Sequence, residues 1–230
     1  MKIHGLQKLT LLDFPGSVAC TVFLNGCDFK CPFCHNFELV DGTAKPVMDE
    51  TEFFDFLKTR KGRLDGVAIT GGEPCLRNEL PEFMRKIKNA GFGVKLDTNG
   101  NNPSILKKII ENNLVDYIAM DIKNSPEKYN QTTGLPYVNL ENIDESIDLI
   151  RHSKIKYEFR TTIVDELHTE YDIMKIAKWI AGSQQYFLQP FENKTTVPCQ
   201  TFHTPSENKL LSLKNIAQMY IQKVEIRGIR

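Results

Sequence analysis

The chain has 230 residues, enough for one well-cored domain or two small ones, and its 29 basic residues balance 29 acidic ones to no net charge. That balance argues against a nucleic-acid binder, and no run of about eighteen apolar residues exists to span a membrane. The start, Met1-Lys2-Ile3-His4-Gly5-Leu6-Gln7-Lys8-Leu9, lacks the continuous apolar core of a signal peptide, and reduced thiols fit the cysteines better than a small secreted disulfide scaffold. A cytoplasmic protein with one domain over residues 1–230 is expected.

Short apolar runs alternate with amphipathic stretches, the pattern of parallel strands covered by helices. Val18 to Leu24 reads as a first strand, and Asp49 caps a helix on which Phe53, Phe54 and Leu57 share a face. Gly66 to Thr70 is the second strand; Asn78 caps the next helix, where Leu80, Phe83, Met84 and Ile87 recur at helical spacing. Phe92 to Asp97 follows as the third. Pro103 suits the first turn of a helix carrying Leu106, Ile109 and Ile110, and Val115 to Asp121 is the fourth strand. Ile143, Ile147 and Ile150 mark the helix before the strand Tyr157 to Val164. Ile173, Ile176, Ala177 and Ile180 mark the one before Tyr186 to Gln189. Thr204-Pro205-Ser206-Glu207 has the form of a capping box with proline at the first helical position, so a terminal helix starts there. Six strand–helix units fall short of the eight in a complete barrel of about 250 residues. The expected fold is α/β, a partial (β/α)6 barrel of parallel strands with a lateral mouth and its site beyond the carboxyl ends of the strands.

Cys27, Cys31 and Cys34 fall within eight residues as C-x-x-x-C-x-x-C. Cysteine thiolates are the usual ligands of iron–sulfur clusters, and three ligands on a four-iron cubane leave one iron open to a small molecule. A structural zinc site would need a fourth ligand, for which His35 is too near in sequence and Cys75 comes from a distant loop. Cys20, Cys75 and Cys199 are scattered and are expected to fill packed sites. Gly71-Gly72-Glu73-Pro74 follows the second strand, where glycines permit close backbone approach, although by itself it is also an ordinary strand-to-helix turn. Asp97-Thr98-Asn99-Gly100 ends the third strand with a common turn signal, and Asp121 and Lys123 end the fourth. Charges at two successive strand ends suggest a polar floor under a ligand. Arg160, on the fifth strand, reads equally as a ligand contact or as a barrel-end salt bridge.

The segment Gly26-Cys27-Asp28-Phe29-Lys30-Cys31-Pro32-Phe33-Cys34-His35-Asn36, with an aromatic residue before the last cysteine, resembles the cluster loop of the radical S-adenosylmethionine enzymes. The resemblance implies a single [4Fe–4S] cluster held by Cys27, Cys31 and Cys34, whose open iron chelates the amino and carboxylate groups of S-adenosylmethionine. It implies that Gly71, Gly72, Glu73 and Pro74 meet the methionine amino group, with Cys75 where related activators often carry threonine. Asp97, Thr98, Asn99 and the Asp121-Ile122-Lys123 segment resemble stretches of glycyl-radical activating enzymes that bind the methionyl part, with a monovalent cation near Asp97 and Asp121. Arg160 matches a fifth-strand arginine of that group, and Gln189 falls in the matching end of the sixth strand. Glu192 stands where some activators have a histidine, so no role is carried over for that residue. Phe33 and Asn36 complete the implied cofactor contacts.

The likeness covers nearly the whole chain and is nearest to activators of anaerobic ribonucleoside-triphosphate reductase, through Leu11-Leu12-Asp13-Phe14-Pro15-Gly16 and Cys34-His35-Asn36. It implies a glycyl-radical enzyme as partner, a flavodoxin- or ferredoxin-type electron donor, and a barrel mouth that admits a peptide loop. Two rival functions are a radical enzyme acting on a pyruvate formate-lyase-like enzyme, a peptide or a small molecule, and a non-enzymatic electron carrier. A carrier normally closes all its cluster ligands, so three cysteines count against it.

Overall fold

The computed structural model of the chain describes residues 1–228. Its first strand, β1 (Lys2–Ile3), pairs antiparallel with β4 (Met48–Asp49) in a small ribbon of its own. β2 (Gly5–Thr10) turns back antiparallel onto β3 (Ala19–Leu24). From β3 the main sheet continues in parallel through β5 (Gly66–Gly71), β6 (Gly93–Thr98), β7 (Tyr117–Asp121), β8 (Lys156–Ile163), β9 (Tyr186–Pro190) and β10 (Val224–Ile226). The edges are β2 and β10, which do not pair with each other, so the barrel stays open. The six parallel strands read from sequence are all present, each within about two residues of its expected bounds.

Two edge strands escaped the sequence pattern. β2 exposes Gln7, Lys8 and Leu9 in succession, which erases the alternation of a half-buried strand, and β10 is only three residues long. Between the strands run α1 (Phe37–Val40), α2 (Glu50–Thr59), α3 (Leu80–Asn89), α4 (Pro103–Glu111), α5 (Tyr129–Thr133), α6 (Leu140–His152), α7 (Glu170–Trp179) and α8 (Glu207–Gln218). Asp49 caps α2 as expected, in a reciprocal box with Glu52 that stabilises the helix by about 1 kcal/mol.

Two caps differ from expectation. Asn78 does not cap α3: the N-cap is Glu79, already helical and making no side-chain bond. The 3₁₀ turn Pro74–Leu76 ends at the extended Arg77, whose carbonyl accepts the Leu80 N–H at 3.1 Å, and Glu79 is already helical, so the chain enters α3 without a side-chain cap. α8 starts two residues later than the Thr204-Pro205 motif predicts. Ser206, in extended conformation, accepts the Lys209 N–H at 3.2 Å, which leaves Pro205 outside the helix.

Strand side chains alternate between two environments. Val67, Ile69, Val94, Leu96, Ile118 and Met120 are buried in the hydrophobic core beneath the helices, each contributing about 1.5–3 kcal/mol through burial. Lys95, Asp97, Glu158 and Arg160, on alternate positions of β6 and β8, point into the barrel; the first two and Arg160 pair with one another or with Asp121 of β7, and Glu158 pairs with Arg227 just after β10. The core is thus an apolar ring around a charged interior, and that interior opens at the carboxyl ends of the strands. No helix among the described residues is long and apolar enough to cross a membrane.

Candidate active site

The cysteine loop leaves β3 and is braced from three sides. Gly26 turns it at φ +82°, and its N–H donates to Leu39 of α1 at 2.6 Å. Phe29 is buried and meets Tyr129 of α5 edge-on, with ring centroids 6.2 Å apart, while Lys30 N–H donates to the Thr133 carbonyl at 2.8 Å. On the third side, Cys199 N–H donates to the Pro32 carbonyl at 3.0 Å, and His35 Nε2 meets the Glu192 carbonyl at 2.6 Å. Cys199 is partly exposed and does not fill a packed site as expected; Cys20 and Cys75 are buried.

Gly71 and Gly72 are required by close approach. A Cβ on Gly71 would lie 2.2 Å from the Leu24 carbonyl oxygen, and one on Gly72 would lie 2.0 Å from that of Gly26. The end of β5 therefore packs backbone to backbone against the cysteine loop, with Glu73 N–H donating to the Gly26 carbonyl at 2.8 Å. Pro74 begins the 3₁₀ turn behind it.

A cavity of about 240 Å³ opens between these loops. Its walls include Cys27, Cys31 and Cys34, together with Phe33, Asn36, Gly71, Gly72, Glu73, Asp97, Thr98, Asn99, Lys123, Arg160 and Gln189. Of the residues expected to contact the cluster or the cofactor, Pro74 alone stands outside the lining, buried in its turn. Asp121 and Thr162 also line it.

Electrostatics divide the cavity in two. On the cysteine side, burial pushes the Cys27 thiol up to about 12 and Cys31 to about 11, and raises Cys34 as well. Thiols so placed give up their protons only to a strongly electropositive replacement. Beside them Glu73 is fully buried. Its Oε1 accepts Cys75 N–H at 2.9 Å and the Thr98 hydroxyl at 2.8 Å, and its Oε2 accepts Asn99 N–H at 2.7 Å. Burial nonetheless raises its carboxyl to about 7, with repulsion from Asp28 adding to the effect. A buried acceptor of that kind is suited to an incoming ammonium.

Across the cavity, Arg160 bridges Asp121 and Asp97, Lys123 pairs with Asp121 at 2.9 Å, and Lys95 pairs with Asp97. Burial opposes these charges, but the cations hold both carboxyls below the ordinary range, and the carboxylates hold Lys123 and Arg160 above theirs. His168, buried and held in the neutral direction by burial, meets the Lys123 carbonyl through Nε2 at 2.9 Å and so braces the lysine's backbone. The two carboxylates expected beside a monovalent cation are met by three cations of the chain itself. Sequence reasoning missed Lys95, His168 and Asp28; only Lys95 left a signal, two places before Asp97 on the same face of a strand.

Residues 21–180 match the Radical SAM superfamily. The chain belongs to that superfamily. A protein of Methanocaldococcus jannaschii named as a glycyl-radical enzyme activating enzyme is 35% identical over 235 residues, covering 99% of this chain and 96% of its own. The pyruvate formate-lyase-activating enzyme of Clostridium pasteurianum is 26% identical, covering 90% of this chain and 84% of its own. Among solved structures, SuiB of Streptococcus suis bound to S-adenosylmethionine shares the fold at a TM-score of 0.69 and 12% identity, over 91% of this chain and 52% of that one. A domain of a pyruvate formate-lyase-activating enzyme from Bacteroides vulgatus aligns at 0.57 and 21% identity, over 71% of this chain and 99% of that domain.

The chain is thus a radical S-adenosylmethionine enzyme of the glycyl-radical activating type, a family that works with a [4Fe–4S] cluster and S-adenosylmethionine. The residues fit both. Three soft sulfur donors face one cavity with a buried amine acceptor beside them.

Proposed function

We propose that this chain installs a glycyl radical on anaerobic ribonucleoside-triphosphate reductase, drawing its electron from a flavodoxin- or ferredoxin-type donor. When bound, the cluster supplies the electron that splits S-adenosylmethionine into methionine and a 5′-deoxyadenosyl radical, which takes a hydrogen atom from a glycine α-carbon of the partner. The protein's share is placement. Cys27, Cys31 and Cys34 would hold the cluster, and Glu73, lining the same cavity, would accept the methionine ammonium. Lys123 and Arg160, held charged by Asp121 and Asp97, present cations to the methionine carboxylate and the approaching peptide. Phe33, Asn36, Thr98, Asn99 and Gln189 close the walls around the nucleotide.

The observation that supports cluster and S-adenosylmethionine chemistry in this reading is the meeting in one cavity of the three thiols and the buried Glu73 carboxyl, which come from different strand ends. Likeness to pyruvate formate-lyase-activating enzymes supports a second target, pyruvate formate-lyase. Incubating the reduced protein and S-adenosylmethionine anaerobically with each candidate decides between them. A glycine-centred paramagnetic resonance signal on the reductase is expected. A signal on the lyase alone would favour the second target, and cleavage with a signal on neither would send the search to peptides and small molecules.

A further inference from the structure

Asp28 lies just after the first cysteine, and its side chain leaves the loop for the end of β6. Three amides meet it there: Asn99 Nδ2 donates to Oδ1 at 2.7 Å, and Asn101 Nδ2 and Asn102 Nδ2 donate to Oδ2 at 2.8 and 3.0 Å. Asn142 of α6 holds this cluster from behind, donating to the Asn101 carbonyl at 3.1 Å. A carboxylate accepts without donating, so it can satisfy three converging N–H groups at once, and each bond to it is about twice as strong as a neutral one.

The same groups reach the first cysteine. Asp28 Oδ1 and Asn99 Nδ2 both lie 4.0 Å from Cys27 Sγ, and Phe29 N–H donates to that sulfur at 3.4 Å. Asn99 has two amide hydrogens, enough to serve the carboxylate and the sulfur together. Its backbone N–H meanwhile holds Glu73 Oε2. One asparagine thus joins the cysteine loop to the carboxylate that waits for the amine.

We propose that Asp28 is a positioning residue that fastens the cysteine loop to the end of β6 and, with Asn99, sets the charge around a metal centre ligated at Cys27. The second half rests on the cluster assignment above; the first does not. A carboxylate beside a thiolate ligand opposes the addition of an electron, whereas an N–H directed at the sulfur favours it. Removing one or the other should therefore move the cluster's reduction potential in opposite directions. Side chains that merely filled space would not do that.

Hydrogen–deuterium exchange of the apo-protein tests the fastening. Exchange across residues 27–36 should speed roughly tenfold in Asp28→Ala and in the Asn101→Ala/Asn102→Ala double variant. Unchanged exchange overturns it. In protein reconstituted anaerobically with iron and sulfide, a dye-mediated titration read by paramagnetic resonance tests the charge. Asp28→Asn should shift the midpoint to more positive values and Asn99→Ala to more negative ones, with iron content kept. No shift, or shifts in the same direction, overturn that half. If the native protein takes up no cluster, the cluster assignment and the electrostatic half fall together, while the exchange result still decides the fastening.

Discussion

Asp121 and Arg160 are register partners on β7 and β8, and the guanidinium Nε donates to the carboxylate beside it. The same guanidinium reaches Asp97 on β6 at 3.2 Å, so one side chain ties together three strand ends. Arg160→Met leaves two mostly buried carboxylates to Lys95 and Lys123. It should cost about 3 kcal/mol of stability, because breaking one side of a buried ion pair strands the other charge. Arg160→Lys, a point charge that cannot fork between two carboxylates, should fall between. Chemical denaturation checks both, and native-like stability of the methionine variant would remove the bridge from the fold's supports.

The cysteines divide into two groups. Alanine at Cys27, Cys31 or Cys34 should abolish cluster uptake and S-adenosylmethionine cleavage, measured as bound iron and sulfide and as 5′-deoxyadenosine formed. Cys20→Ala and Cys199→Ala should keep both, with Cys20→Ala losing roughly 1 kcal/mol of stability because its thiol sits in the core. Cleavage surviving in Cys31→Ala would end the ligand assignment.

Glu73 predicts a proton linkage. Its carboxyl stands at about 7 in the folded chain against a reference value of 4.5, so folding takes up a proton between those values. Its contribution to stability is complete below about 4.5 and is lost as the pH rises through 7. An ammonium docked against the carboxyl favours the ionised form. Binding of S-adenosylmethionine near pH 6.5 should therefore release a proton, visible by calorimetry in buffers of different ionisation enthalpy. Glu73→Gln should bind more weakly and abolish that release; the same release in the variant would assign the proton to another group.

His35 stacks on Phe191 with ring centroids 5.5 Å apart while its Nε2 meets the Glu192 carbonyl. His35→Ala should loosen the segment after β9 from the cysteine loop. Labelling of the Cys34 thiol in the apo-protein should then quicken roughly tenfold, the equivalent of one lost polar contact and one lost ring contact. Equal labelling rates would show that other contacts hold the segment closed.

The strands that build the barrel were legible because their signals are local. Val67 and Ile69 alternate with smaller inward residues, and Leu80, Phe83, Met84 and Ile87 keep a helical period, so elements and their order follow from neighbours in the chain. The caps expected at Asn78 and Thr204 are not the ones that form: near Thr204, Ser206 has the same capping chemistry. Only the path of the backbone selected Ser206, and it left α3 without a side-chain cap.

Spacing alone marked Cys27, Cys31 and Cys34, since three thiols in one short loop declare soft-metal chemistry wherever that loop lies. What the linear chain could not contain was the pairing of distant charges. Arg160 finds Asp97 and Asp121, Asp28 finds three asparagines more than seventy residues away, and His168 finds the Lys123 carbonyl only once the parallel strands lie side by side. Local periodicity determined which residues form strands and helices and which loop carries the thiols. The tertiary structure decided which buried charges neutralise one another, because that depends on distances across the sheet that no interval along the chain records.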